Sequence, residues 1–306
     1  MMGRSLSLRE VLQPTDFATR RRGVKAFRRA LGYRTRALLA RDLWVRSSTG
    51  ARIYVNWNDA RAVEMWWSGG NVNPPALEMW RRLVAAASWD LIVDVGANYG
   101  EMLFNVALPS GARVVALEPN PLVLACLVRT ISESGVPVVP VVQAASNCCS
   151  IAPFLIDLRW SGSSSLRPGA TAFPTQEIQV ATTTVDELAA SLSPVSIDDA
   201  SVLVKVDVEG NELAVLEGLT DTAARARLFV GMLEIDHLTP EELTPLRDRF
   251  DVYLADGAGT NFLRFDAPAG HSLFDFAADH GRYHADAVIA RAADRAVLSH
   301  ALGIGC

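Results

Sequence analysis

The sequence predicts an α/β protein built on an open, mostly parallel sheet with helices on both faces. Three observations point there. Short apolar runs alternate with helical stretches at close spacing, which is the pattern of βαβ units. The first run ends in a glycine turn that leads straight into a helix. A later run carries ionisable side chains at its carboxyl end, where open sheets of this kind bind ligands.

The elements follow in order. Arg52–Trp57 alternates as a strand. Pro74 and Pro75 suit the first turn of a helix over Ala76–Ala87. The regular part then begins: strand Leu91–Val95, helix Glu101–Leu108, strand Arg113–Leu117, helix Leu122–Ser134, and a third run at Val136–Val142. Ile151–Asp157 and Glu177–Thr183 read as a β-hairpin around the turn-rich stretch Trp160–Pro174, an inserted flap. Val202–Val208 and Leu228–Ile235 are the fourth and fifth runs, followed by helices Glu212–Glu217 and Pro240–Arg249. Asp251–Ala255, Asn261–Phe265 and Asp286–Ala290 complete the strands, with a helix near Ser272–His280 and another closing the chain.

Half of the 306 residues are apolar and 21% are charged, an ordinary globular composition. The net charge of −5 is unevenly spread. Residues 1–50 hold twelve of the 29 Lys and Arg and three of the 34 acids, a balance of +9 against −14 for the remainder. Residues 20–45 read as a basic helix with Val24, Phe27, Leu31, Leu38 and Leu39 among the arginines. The chain therefore divides into a basic, helical arm with a short strand over residues 1–70 and a main domain over 71–306. The arm suits contact with a membrane surface or with a second copy of the chain. The four cysteines, with Cys148 beside Cys149, show neither zinc nor redox spacing. No apolar run has membrane-spanning length and the first residues lack a leader's apolar core, so the expected location is cytoplasmic, with membrane association through the arm.

Three segments carry the chemistry. Asp94-Val95-Gly96-Ala97-Asn98-Tyr99-Gly100 places Gly96, Asn98 and Gly100 in a strand-to-helix turn, where missing side chains let a ligand approach the backbone. The dinucleotide fingerprint would require glycine at Asn98. An acid two positions before the first glycine suits a ligand with cationic groups and no phosphate, such as S-adenosylmethionine. Glu118, ending the second strand in Ala116-Leu117-Glu118-Pro119-Asn120, can accept both hydroxyls of a ribose. Asn120 and Ala145, near the ends of the second and third strands, complete the candidate nucleoside site.

Val204-Lys205-Val206-Asp207-Val208-Glu209-Gly210 is the most informative stretch. A central parallel strand is normally apolar on both faces, so Lys205, Asp207 and Glu209 are costly unless paired or used. Glu234 and Asp236 come to the same edge from the fifth strand, and His237 follows them. Asp207, Glu209 and His237 are the candidate catalytic bases, in that order. No metal ligand is assigned, although clustered Asp207, Glu209 and Glu234 would suit a hard cation.

The combination D-V-G-A-N-Y-G (94–100), A-L-E-P-N-P (116–121), V-K-V-D-V-E-G-N-E (204–212) and L-E-I-D (233–236) resembles the FkbM-type methyltransferase family. G-S-S-S-L (162–166) and T-T-V-D-E-L (183–188) are also similar to that family. The resemblance covers residues 90–290. It implies the Rossmann-like class I methyltransferase fold with a seven-stranded sheet, S-adenosylmethionine as cofactor, and O-methylation of a small-molecule hydroxyl on a sugar, glycolipid or polyketide-like product. No nucleic-acid partner is expected. His237 belongs to no motif of the family. A nicotinamide-dependent oxidoreductase would share the sheet and the ribose acid. A nucleic-acid methyltransferase is the reading that the basic arm and Asn73-Pro74-Pro75 would favour.

Overall fold

The computed structural model describes residues 44–304, apart from 172, 267–272 and 282–284. Residues 1–43 lie outside the described residues, so all but the last two residues of the basic helix expected over 20–45 fall there.

The body begins at Trp44, inside the stretch the sequence suggested as an arm. β1 (Trp44–Arg46) and β2 (Arg52–Tyr54) form a small antiparallel hairpin, and α1 (Ala60–Trp67) follows, a helix not evident from the sequence. α2 (Pro74–Ala85) starts as the prolines require, with the Asn73 side chain accepting from the Ala76 N–H.

An eight-stranded sheet forms the core. Its strands are β3 (Leu91–Val95), β4 (Arg113–Leu117), β5 (Val138–Val141), β9 (Ser201–Val206), β10 (Leu228–Glu234), β11 (Asp251–Ala255), β12 (Phe262–Arg264) and β13 (Asp286–Ala290). Their spatial order is β12-β11-β13-β10-β9-β3-β4-β5. β10, β9, β3, β4 and β5 run parallel, and β13 inserts antiparallel between β10 and β11. The eighth strand is the three-residue edge β12; the other seven are those of the expected sheet.

The chain winds outward from β3 to β4 and β5, then returns to build β9 and β10 on the other side. This reversal leaves a crevice at the carboxyl ends of β3 and β9. Every residue of β3 and β9 is buried. One apolar cluster joins Leu91, Val93, Val204, Phe229 and Ile289 across the sheet. Each such side chain contributes about 1.5–3 kcal/mol on burial.

One helix is much shorter than expected. α3 spans only Glu101–Phe104 rather than reaching Leu108. The Asn105 amide donates to the Glu101 and Gly70 carbonyls, both at 2.8 Å, and accepts from the Ser48 N–H at 2.7 Å. Those bonds tie the helix end to the N-terminal segment and stop it. α4 (Pro121–Ser134) runs as expected and ends at Gly135 in the left-handed region.

The flap is also present. β7 (Ile151–Asp157) pairs antiparallel with β8 (Thr175–Thr183), and the two-residue β6 (Ala144–Ala145) adds to β8. α5 (Val185–Leu192), α6 (Glu212–Glu217), α7 (Thr220–Arg225), α8 (Pro240–Arg249), α9 (Leu273–Asp279) and α10 (Arg295–Leu302) complete the described helices. No described helix is long and apolar enough to cross a membrane.

Candidate active site

The site grows from the turn after β3. Gly96 N–H and Ala97 N–H both donate to the Leu117 carbonyl, at 3.1 and 2.9 Å, so the turn is fastened to the end of β4. Gly96 has φ +81, and a Cβ there would collide with the Asp207 carbonyl oxygen and stand 3.0 Å from its carbon. Only glycine lets the turn and the end of β9 approach this closely. Gly100, also left-handed, is packed by Phe104 and Leu127 and serves as N-cap of α3 rather than facing a cavity.

Glu118 bridges that turn. Its Oε2 accepts from the Asn98 N–H and its Oε1 from the Asn120 N–H, each at 2.8 Å. Burial pushes its carboxyl up to about 7, against those two donors and with Glu101 and Asp94 adding repulsion. Each oxygen keeps a second lone pair for a further donor. The Asn98 amide donates to Ser161 Oγ at 3.1 Å and so joins the turn to the flap. The Asn120 side chain is occupied elsewhere. It caps α4 through the Leu122 N–H and borders a neighbouring pocket, not the main cleft.

Two cavities meet at Arg61, Gly96, Asp207 and Glu209. The first, about 580 Å³ and open to solvent, has Glu118 and Ala145 in its wall with apolar sides from Leu117, Phe154, Leu166 and Val208. The second, about 670 Å³, is strongly polar: Glu101, Asp207, Glu209, Glu234 and Asp286 face Arg61 and Lys205 across it.

Electrostatics at the junction follow from burial and pairing. Lys205 is 3% exposed and donates to Asp207 Oδ2 at 2.9 Å, with Asp94 Oδ1 at 3.8 Å. Burial works to lower its pKa, but Asp207 and Asp94 outweigh that and raise it. Burial would raise Asp207, yet Lys205 and Arg61 hold it below its ordinary range. Asp94 is fully buried beneath the rim and borders neither cavity; burial pushes its carboxyl up to about 6. Its place is under the lysine, not in the cleft wall.

The fourth strand ends at Val206, one pair earlier than the alternation suggested. Glu209 reaches the junction through a left-handed backbone, φ +58, and not through a strand register shared with Lys205. Its Oε2 lies 2.9 Å from His237 Nε2, which also stands 3.7 Å from Glu234 Oε2. The Glu209 hydrogen bond raises the His237 pKa. Burial and the Asp207 and Glu209 carboxylates push Glu234 up to about 11. His237 itself borders neither cavity and joins the site through Glu209.

Four contributors were missed in the sequence: Asp59, Arg61, Glu101 and Asp286. Arg61 Nε donates to Glu101 Oε1 at 3.0 Å, and its guanidinium lies 5.8 Å from the Trp160 ring centroid. A Cβ on Gly162 would approach Arg61 Nη1 to 2.5 Å, so the flap glycine makes room for this arginine. Asp59 accepts from the Arg61 and Ser161 N–H groups and from the Tyr99 hydroxyl, linking α1, the flap and the glycine turn. Asp286 opens β13 opposite Glu234, and burial beside Asp207 pushes it up to about 7. An acid at the head of an otherwise apolar strand was the available signal.

The donor set fits S-adenosylmethionine. A buried carboxylate stands where ribose hydroxyls would be received, apolar walls flank a planar base, and an acidic junction suits cationic sulfur and nitrogen. The sequence profile of the Methyltransferase FkbM domain matches residues 94–262, more than half of the chain. No curated protein matches the sequence. Among solved structures, an O-methyltransferase from Bacillus cereus in complex with S-adenosylhomocysteine is 11% identical, with 72% of this chain and 83% of that one covered and a TM-score of 0.36. The O-methyltransferase TomG of tomaymycin synthesis from Streptomyces achromogenes is 14% identical over 62% and 76% of the two chains, TM-score 0.34. A precorrin-6y C5,15-methyltransferase from Geobacter metallireducens is 12% identical over 71% and 86%, TM-score 0.31. On the profile match, the chain belongs to the FkbM family of S-adenosylmethionine-dependent methyltransferases.

Proposed function

We propose that this methyltransferase transfers its methyl group to a hydroxyl of a small molecule, a sugar, glycolipid or polyketide-like product. The observation that carries the reading is the pair of cavities meeting at Asp207 and Glu209. The Glu118 side takes the nucleoside and the acidic side takes the acceptor. The second cavity, with five acids and two bases, has no excess of cations to hold a polyanion, which supports a neutral, hydroxyl-rich acceptor over a nucleic acid.

S-adenosylmethionine supplies a methyl already activated on a sulfonium. The protein's share is alignment and exclusion of water. Asp207, kept ionised by Lys205 and Arg61, accepts the acceptor's O–H and takes its proton as the new O–C bond forms. Glu209 lines the same junction and shapes the acceptor's approach. The flap closes the junction through Ser165, whose hydroxyl donates to the Glu209 carbonyl at 2.8 Å.

Calorimetry and product analysis test this. Glu118→Ala should weaken S-adenosylmethionine by about 10- to 100-fold, the value of losing hydrogen bonds to a charged group, about 1.5–3 kcal/mol. Asp207→Asn should keep cofactor affinity and lose turnover with hydroxylated acceptors. Unchanged affinity in the first variant, or methylation found only on nitrogen, would overturn the assignment.

A further inference from the structure

We propose that the acidic cavity ends in a divalent-cation site whose protein ligands are Glu209, Glu234 and His237. One oxygen from each glutamate and one ring nitrogen of the histidine lie within 4.8 Å of one another. The two contacts at His237 Nε2, 2.9 and 3.7 Å, bracket the roughly 3 Å that separates neighbouring ligands held about 2.1 Å from an octahedral ion.

Independent features point to a missing positive centre. Glu234 Oε2 is closed off from solvent and has no hydrogen-bond partner. Glu212, with no exposed surface, has its Oε2 in the same condition, and its charge acts on both Glu234 and His237. His237 stands 3.7 Å from Glu234 Oε2, beyond hydrogen-bond reach, and Lys205 and Arg61 are engaged by Asp207 and Glu101. A buried carboxylate oxygen without a partner is expensive, and a bound cation removes the cost.

The ligands are also held in place before any ion arrives. Glu212 Oε1 accepts from the Val208 and Gly210 N–H groups, at 3.2 and 3.0 Å, and Ser165 fixes the Glu209 carbonyl from the flap. These bonds hold the left-handed Glu209 with its carboxylate against His237. Glu234 is the last residue of β10, and His237 follows three residues later. Two carboxylates and one imidazole suit Mn²⁺, Fe²⁺ or Zn²⁺ better than an all-oxygen Mg²⁺ site. Glu209 and Glu234 both border the acidic cavity, so the ion's remaining positions face the acceptor. There it would lower the pKa of a bound hydroxyl, whose proton passes to Asp207. That role rests on the acceptor reading above; ion binding does not.

The test is Mn²⁺ titration of the full chain, followed by calorimetry and electron paramagnetic resonance, with S-adenosylmethionine affinity measured in parallel. Wild type should bind one Mn²⁺ per chain with a nitrogen hyperfine coupling. His237→Ala should lose that coupling and weaken Mn²⁺ by more than about tenfold, Glu234→Gln should weaken it comparably, and both should keep cofactor affinity. His280→Ala, which alters a histidine elsewhere, should match wild type. Absence of saturable Mn²⁺ binding, or equal binding in wild type, His237→Ala and Glu234→Gln, would overturn the cation site. Cofactor binding without Mn²⁺ would leave the methyl-transfer reading intact, and the converse would leave the ion site standing without it.

Discussion

Replacing Gly96 with alanine tests the closest backbone approach in the site, and Gly135 supplies its control. Both glycines are left-handed, at φ +81 and +69. At Gly135 a Cβ would meet nothing within 4 Å, so Gly135→Ala carries only the left-handed penalty, about 1–2 kcal/mol. At Gly96 the same penalty is joined by collision with the Asp207 carbonyl, which cannot swing aside because the Asp207 N–H donates to the Val95 carbonyl at 3.1 Å. Overpacking of this kind adds about 1–3 kcal/mol. Gly96→Ala should therefore cost about 2–5 kcal/mol. Urea unfolding followed by tryptophan fluorescence measures both variants, and calorimetry measures their cofactor affinity. Gly135→Ala should bind S-adenosylmethionine as wild type does, whereas Gly96→Ala should bind weakly because Asp207 and the turn must separate. A Gly96→Ala protein no less stable than Gly135→Ala would refute the claim that this contact sets the site.

Cofactor affinity should depend on pH through Glu118. With its carboxyl near 7, the ionised fraction that ribose hydroxyls require falls about tenfold from pH 8 to pH 6, and the dissociation constant should rise by that factor; a flat profile would exclude Glu118. In the cofactor-free protein the sign is opposite. The folded state holds a proton that the unfolded chain releases above about 4.5, so the stability this group contributes is present below that pH and lost as pH rises through about 7. Tyr99→Phe should cost about 1–3 kcal/mol by stranding the buried Asp59 Oδ2, and Asp59→Ala should cost more because it also uncaps α1 and releases Ser161; equal losses in urea unfolding would refute the hub. Arg61→Ala leaves Glu101, 4% exposed, without its partner and should cost about 3–5 kcal/mol, with the double variant Arg61→Ala/Glu101→Ala less affected than the single one; additive losses would show the pair is uncoupled.

The sheet was legible because its strands are short, apolar and punctuated by glycine or proline. Leu91–Val95, Arg113–Leu117 and Asp286–Ala290 agree with the structure to the residue. Helix ends were less so. Nothing local to Glu101–Leu108 announces that Asn105 will be recruited by Ser48 and Gly70, which lie 57 and 35 residues earlier in the chain. Gly96, Asn98, Glu118, Ala145, Asp207 and Glu209 do line the first cavity, three of them, Gly96, Asp207 and Glu209, at its junction with the second. Asp94 and Asn120 stand near it but are occupied, one beneath Lys205 and the other capping α4. Pattern reading places residues at an edge of the sheet; it does not distinguish a carboxylate that lines a cleft from one that supports its floor.

Two of the residues that escaped notice share a position. The family match begins at Asp94, and Asp59 and Arg61 both precede it. The cavity proposed for the nucleoside is built from motif segments, the turn after β3 and the acid after β4. The acceptor side draws on α1, through Arg61, and on the start of α2, where Asn73 borders the acidic cavity. Arg61 touches both cavities while packing on Trp160 of the flap and pairing with Glu101 of α3. Its largely buried charge is balanced by Glu101 and Asp207 beside it, which ties the N-terminal segment to the carboxylate proposed to take the acceptor proton.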